Sequence, residues 1–220
     1  MANIFDQKDT QSLTTKVFKY IRDGIIDGRY HSGDILVATK LAEEFGVSRT
    51  PIREALKQLE LEDLIESIPN CGVTVKGISK EDITDIFIIR YLLEGLAANL
   101  AASRIKQPEL DKLLELIDLM ELYTRRRDYA NLAKLDTEFH EIIFIASNSR
   151  TLKHILGSLH QNAAYARQSS LMVPERAPKS FEEHKEIYAA LCAHDAARAQ
   201  SCMERHVQSA NYLKSQGKKA

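Results

Sequence analysis

A chain of 220 residues holds one large or two modest domains, and its 30 Lys+Arg against 31 Asp+Glu leave a net charge of -1, so neither an acidic nor a basic excess points to a partner. The 44% hydrophobic and 28% charged content describes a folded chain rather than a disordered one. No run of about 18 apolar residues could span a membrane, Met1–Asp6 lacks a secretory pattern, and Cys71, Cys192 and Cys202 form no CxxC, so a cytoplasmic protein with reduced thiols is expected, and secreted, membrane and disulfide-scaffold classes are set aside.

Glycine divides the chain. Gly28, Gly33, Gly46, Gly72 and Gly77 punctuate the first third, whereas only Gly95, Gly157 and Gly217 follow. A turn-rich module over residues 1–76 therefore precedes a helical one over 77–220. In the first module Leu13, Val17, Ile21 and Ile25 mark one face of a helix ending at Gly28. A turn and the short apolar run Ile35–Val37 follow. Leu41, Ala42 and Phe45 make a second helix that stops at Gly46. Thr50-Pro51 supplies a cap and a first helical position for a third helix, whose buried stripe is Ile52, Ala55, Leu56 and Leu59. Leu64–Ile68 and Val73–Val75 are β-rich and are joined by the hairpin signal Pro69-Asn70-Cys71-Gly72.

Two short helices joined by Gly46-Val47-Ser48 and followed by a hairpin make the pattern of a winged helix-turn-helix. Arg49, Arg53 and Lys57 fall at i, i+4 and i+8, opposite the apolar stripe. Charges so placed suit a plain solvated face, and they equally suit phosphate contact and bidentate guanine reading at a helix entry. Residues 1–76 hold 10 Lys+Arg and 12 Asp+Glu, so a DNA-facing surface here must be local rather than a broad basic field.

The second module parses into six helices, with start signals at Ser79, Pro108, Asp128, Asn148 or Ser149, Ser180 and Asp195, and ends near Ile105, Arg127, Ser147, Leu171, His194 and Gln216. Ser180 with Glu183 has the form of a capping box. Long helices on short turns predict an antiparallel six-helix bundle. The fold class is thus mostly α.

Four ionisable residues occupy apolar stripes of that bundle. Asp136 and His140 stand i, i+4 among Leu132, Leu135, Phe139 and Ile143. His184 lies between Phe181 and Tyr188, and His206 between Met203 and Ala210. Single histidines at such places can each be satisfied by a backbone carbonyl. Three with an aspartate are satisfied together by one divalent cation per chain, and nitrogen and oxygen donors without thiolate suit zinc, nickel, manganese or iron. His31, His154, His160 and His194 are read as ordinary histidines. Arg90 interrupts the stripe Ile83, Ile86, Leu93, Ala97 and Leu100. It needs an anion, either Glu94 or Asp136 or the carboxylate of a ligand. Asn162, Tyr165 and Arg167 are further candidates for the same cavity. The residues also leave open a metalloenzyme acting on a small carboxylate, or a sensor of the cation itself.

Gly46–Leu56, with Leu41-Ala42 before it, resembles the helix-turn-helix signature of the GntR family of bacterial transcription regulators. Gly28-Arg29-Tyr30, Gly33-Asp34 and Leu36 are similar to its preceding turn. Departures are Ser32 for a usual proline, Asp63 for a usual glycine, and Cys71 at a wing tip that is often basic or polar. The resemblance implies that Arg49 and Arg53 enter the major groove of double-stranded operator DNA, with Ser48, Thr50 and Lys57 as further DNA-binding candidates, and that the hairpin tip reaches the minor groove. It leaves Asn70 and the backbone of Gly72 to the wing. Asp136-x3-His140, His184 and His206 resemble the metal-ligand set of the FCD effector domain in the FadR-like branch, shorter VanR-like subgroup. This implies a homodimeric repressor, not an enzyme, released by a small carboxylate effector. Arg90 matches an arginine of the family and so becomes the effector-binding candidate.

Overall fold

The computed structural model describes residues 11–26, 28–68, 72–77, 79–162, 170–173 and 175–210. Asn70, Cys71, Tyr165, Arg167 and Gln216 lie outside them. The chain divides into two compact units, Met1–Ser79 and Lys80–Ala220.

The first unit runs α1 (Leu13–Ile26), β1 (Ile35–Leu36), α2 (Ala38–Phe45), α3 (Arg49–Leu61), β2 (Ile65–Ile68) and β3 (Gly72–Val75). The strands form an antiparallel sheet in the order β1-β3-β2, with Ile35 opposite Thr74 and Glu66 opposite the same residue from the other side. Val17, Ile21, Phe45, Ile52, Leu59 and Ile65 make one core, because the three helices and the sheet each bury a single apolar face. Gly46 ends α2 at φ 67°, and its N–H bonds back into the helix, the left-handed C-terminal geometry expected of glycine. Asp63 takes a positive φ of 58° and pairs with Lys76, so an aspartate fills the turn where a glycine is usual. Helix α3 begins earlier than its Thr50-Pro51 signal suggests. Ser48 is the extended cap residue, and Pro51 sits within the first turn, where its missing N–H still removes no helical bond.

The second unit comprises α4 (Lys80–Ala102), α5 (Gln107–Arg126), α6 (Tyr129–Ala146), α7 (Arg150–Asn162), α8 (Arg176–Cys192) and α9 (Ala196–Ala210). The first three and the last two are joined by turns of a few residues. Helix α4 packs on α9 and α6, α8 on α9 and α5, and α6 on α5 and α7. Phe139, Ile143, Met120, Leu113, Ile187 and Met203 lie in the shared core. Gly95 lets α9 approach α4, since a Cβ there would stand 2.6 Å from the Glu204 side chain. One expectation is corrected. Helix α8 starts at Arg176 after a left-handed Glu175, so the Ser180–Glu183 pair is inside the helix, where Glu183 turns inward instead of capping. His194, at φ 50°, follows the C-terminal end of α8, and its Nδ1 lies 2.7 Å from Ala102 O, which ties that end to α4. Among the described residues no helix is long and apolar enough to cross a membrane.

Candidate functional site

Helix α3 presents two unlike faces. Ile52, Ala55, Leu56 and Leu59 are buried, while Ser48, Arg49, Thr50, Arg53 and Lys57 are exposed. Burial of one stripe therefore fixes the rotation of the helix and leaves the cationic stripe outward. Gly72, at the start of β3, has φ 114°, and a Cβ there would meet Leu36 O at 2.6 Å. This glycine is demanded by the close passage of two strands, whatever its backbone does toward a ligand.

In the second unit the four candidate ligands converge. Asp136 and His140 of α6, His184 of α8 and His206 of α9 each offer one atom, and these atoms lie within 4.8 Å of one another. All four residues are buried, with His140 fully so. Asp136 Oδ1 stands 3.2 Å from His184 Nε2, 3.8 Å from His206 Nε2 and 4.0 Å from His140 Nε2. His140 Nε2 and His206 Nε2 are 3.2 Å apart.

Their other nitrogens face outward from the cluster. His184 Nδ1 lies 2.7 Å from Ser180 O and His206 Nδ1 2.9 Å from Glu183 Oε2. His140 Nδ1 lies 2.7 Å from Glu94 Oε2, though out of line for a hydrogen bond. The acceptors at His184 and His206 Nδ1 favour the ring proton there and turn those Nε2 lone pairs inward, and Glu94 flanks the same nitrogen of His140. Burial pushes the His206 imidazole down to about 3, aided by the adjacent His184 and opposed by the hydrogen bond to Glu183. That ring is therefore a neutral donor near neutral pH. His184 Nε2 has no hydrogen-bond partner among the described residues. Lone pairs facing one another at these distances repel unless a cation lies among them, and ligand atoms about 2.1 Å from one centre stand about 3.0–3.5 Å apart. The donor set fits a divalent cation.

Around this cluster lies a layer that was only partly legible in the sequence. Burial alone would raise the Glu94 carboxyl, but Arg90 foremost, then His160 and His140, hold it well below the usual range. Arg90 Nε donates to Glu94 Oε1 at 2.5 Å. Arg90 thus has the intramolecular partner that its i, i+4 spacing allowed, while still lining a cavity with Asp136, Arg176, Ser170, His206 and Phe87. His160, read as an ordinary histidine, is buried, and its Nε2 lies 2.9 Å from Glu94 Oε1. Arg176 went unnoticed because it stands before the expected helix start. It is buried and its Nη1 lies 2.9 Å from Glu183 Oε2.

A winged helix with one outward cationic stripe, and a helical unit with a buried polar cavity, define a DNA-binding regulator that carries a ligand domain. The chain matches the bacterial regulatory proteins of the gntR family over residues 13–75 and the FCD domain over residues 85–209, and it belongs to this family. It is a ligand-responsive transcription regulator. It is 28% identical to the HTH-type transcriptional regulator YdhC of Bacillus subtilis, over 78% of this chain and 77% of that protein. It is 32% identical to the gluconate operon transcriptional repressor of Bacillus licheniformis over 67% of this chain, which spans 60% of that repressor. Among solved structures, Escherichia coli McbR/YncC superposes with a TM-score of 0.77 at 25% identity, covering 95% of this chain and all of that one.

Proposed function

We propose that this chain is a homodimeric repressor whose hold on operator DNA is released by a small carboxylate bound beside one divalent cation per chain. The observation that carries the reading is the convergence of three inward Nε2 atoms and Asp136 Oδ1, with every Nδ1 turned toward an outer acceptor. The bound cation would supply positive charge that holds a carboxylate oxygen. Arg90, on the same cavity, keeps its terminal guanidinium nitrogens for the rest of that group. Proteins similar to this chain are named as repressors, which supports the sign of regulation.

On the DNA side, Arg49 and Arg53 read base edges in the major groove, and Ser48, Thr50 and Lys57 hold phosphates. Asn70 and the Gly72 backbone belong to the wing's contact. One such unit makes few base contacts, so a two-fold pair on half-sites is needed for useful specificity. The exposed stripe Ile88, Ile89, Leu92 and Leu96 on α4 is the surface we assign to the second copy. A protein that works on operator DNA works in the cytoplasm.

The test loads chelator-treated protein with each of zinc, nickel, manganese and iron. Binding to an operator fragment is then followed with and without small carboxylic acids. Expected are about one cation per chain and acid-dependent release that vanishes on chelation. Purified protein without a bound divalent cation, and without a thermal shift on adding any of the four, would remove the cation from the reading.

A further inference from the structure

The cavity beside the candidate cation site contains polar atoms that the described residues leave unsatisfied. Nε and Nη1 of Arg176 and Oγ of Ser170 are buried and, among the described residues, without a hydrogen-bond partner, in residues 8% and 2% exposed. Both residues line the cavity that Asp136, His206 and Arg90 also face. Buried donors without acceptors are costly, and charged donors most of all. Several in one cavity are completed by a molecule that accepts from them.

The two arginines of the cavity are differently committed. Arg90 donates through Nε to Glu94. Arg176 Nη1 stands near Glu183 Oε2 but out of line with it, so hydrogens on its Nε and Nη1 are left without an acceptor among the described residues. Glu94 and Glu183 lead on to His140 and His206, so each arginine is one carboxylate removed from a candidate ligand imidazole. Arg90, Arg176 and a divalent cation, set against Glu94, Asp136 and Glu183, leave one positive charge. One carboxylate neutralises it, and a second would overshoot.

Resting on the metal-and-acid reading above, we infer that Arg176 and Ser170 form a second anchor of the effector site and select a monocarboxylate bearing a hydroxyl or oxo group. The guanidinium donates to the carboxylate, and the Ser170 hydroxyl meets the additional oxygen.

The experiment uses the full chain loaded with zinc. Matched short-chain acids are titrated by calorimetry: plain monocarboxylates, their hydroxy and oxo derivatives, and the corresponding dicarboxylates. In the wild type the hydroxy or oxo acids bind tightest, by about threefold to tenfold over the plain acids, and the dicarboxylates bind less well. R176K keeps the charge but loses the Nε donor and the planar guanidinium, so acid affinity falls about 10- to 100-fold, a loss larger than any change in zinc affinity. S170A removes a single hydroxyl and erases the preference for the oxygenated acids; it carries the test if R176K fails to fold. Undiminished acid binding by R176K, or loss of zinc in place of acid, overturns the inference and leaves the metal-and-acid reading standing. So does an S170A protein that keeps the wild-type preference. If no acid binds the zinc-loaded wild type, the underlying reading fails and this inference fails with it.

Discussion

At the scale of single residues, exposed and buried charges have unlike consequences. Arg49 and Arg53 are exposed on α3, so truncating either should leave the fold intact. Arg49→Ala and Arg53→Ala should each weaken operator binding by about 1–3 kcal/mol, the usual worth of a bidentate base contact. Titrations at one fixed salt concentration check this, and unchanged affinity in both variants would take α3 out of the groove. Glu94 is the opposite case, since it is wholly buried and touches no DNA. Glu94→Gln should weaken cation binding about 10- to 100-fold, because the carboxylate that orients His140 is lost. Competition with a chromogenic chelator measures it. His206 gives a pH dependence. Its imidazole titrates near 6.5 when unperturbed and at about 3 in the fold, so the unfolded chain binds the extra proton first. Its contribution is fully present above pH 6.5 and is lost as pH falls toward 3, at about 1.4 kcal/mol per pH unit. Chelator-treated protein should show this slope already between pH 6 and 5, above the carboxylate range, and a flat melting temperature there would contradict the neutral buried ring.

Elements explain why removing the cation should act unevenly. Its four candidate ligands come from α6, α8 and α9, so a bound ion cross-links three helices of the unit. Helices α1 to α3 have a separate core of their own. Chelation should therefore lower the melting temperature of the helical unit while leaving the winged unit almost unmoved. Hydrogen exchange resolved by peptide would show which part loosened. Helix α8 also shows how an element's start changes its meaning. With the helix opening at Arg176, Glu183 belongs to the interior, and it serves His206 rather than a backbone N–H. A substitution such as Ser180→Ala then removes no cap, contrary to what the motif alone suggests.

For the whole molecule, the proposed regulation requires that the acid favour one arrangement of two DNA-binding units over another, and the proposed dimer would bring those units together. The apolar stripe on α4 is exposed in the single chain, with Leu92 at 59% and Ile88 at 49%. Leu92→Glu should place a carboxylate in the buried centre of the interface and shift the protein to a monomer, by light scattering, with the helical unit still folded. The operator affinity of that monomer should drop sharply, because each half-site is then bound alone. A Leu92→Glu protein that remains dimeric would move the interface elsewhere on the helical unit.

What the sequence determined by itself was whatever follows from period and local chemistry. The outward stripe of α3, the left-handed stop at Gly46 and the four residues Asp136, His140, His184 and His206 were all readable. Each is a statement about which side of one helix or turn a residue occupies, and burial follows that side. The outer layer of the site was decided only by the tertiary structure. Glu94 was one of two candidate partners for Arg90, His160 was read as an ordinary histidine, and Arg176 stood unread before the expected helix start. Their roles arise because α4 lies against α6 and α8 against α9, which sets Glu94 beside His140 and Glu183 beside His206. Contacts between helices distant in sequence depend on crossing positions and helix starts, and a periodic pattern carries neither.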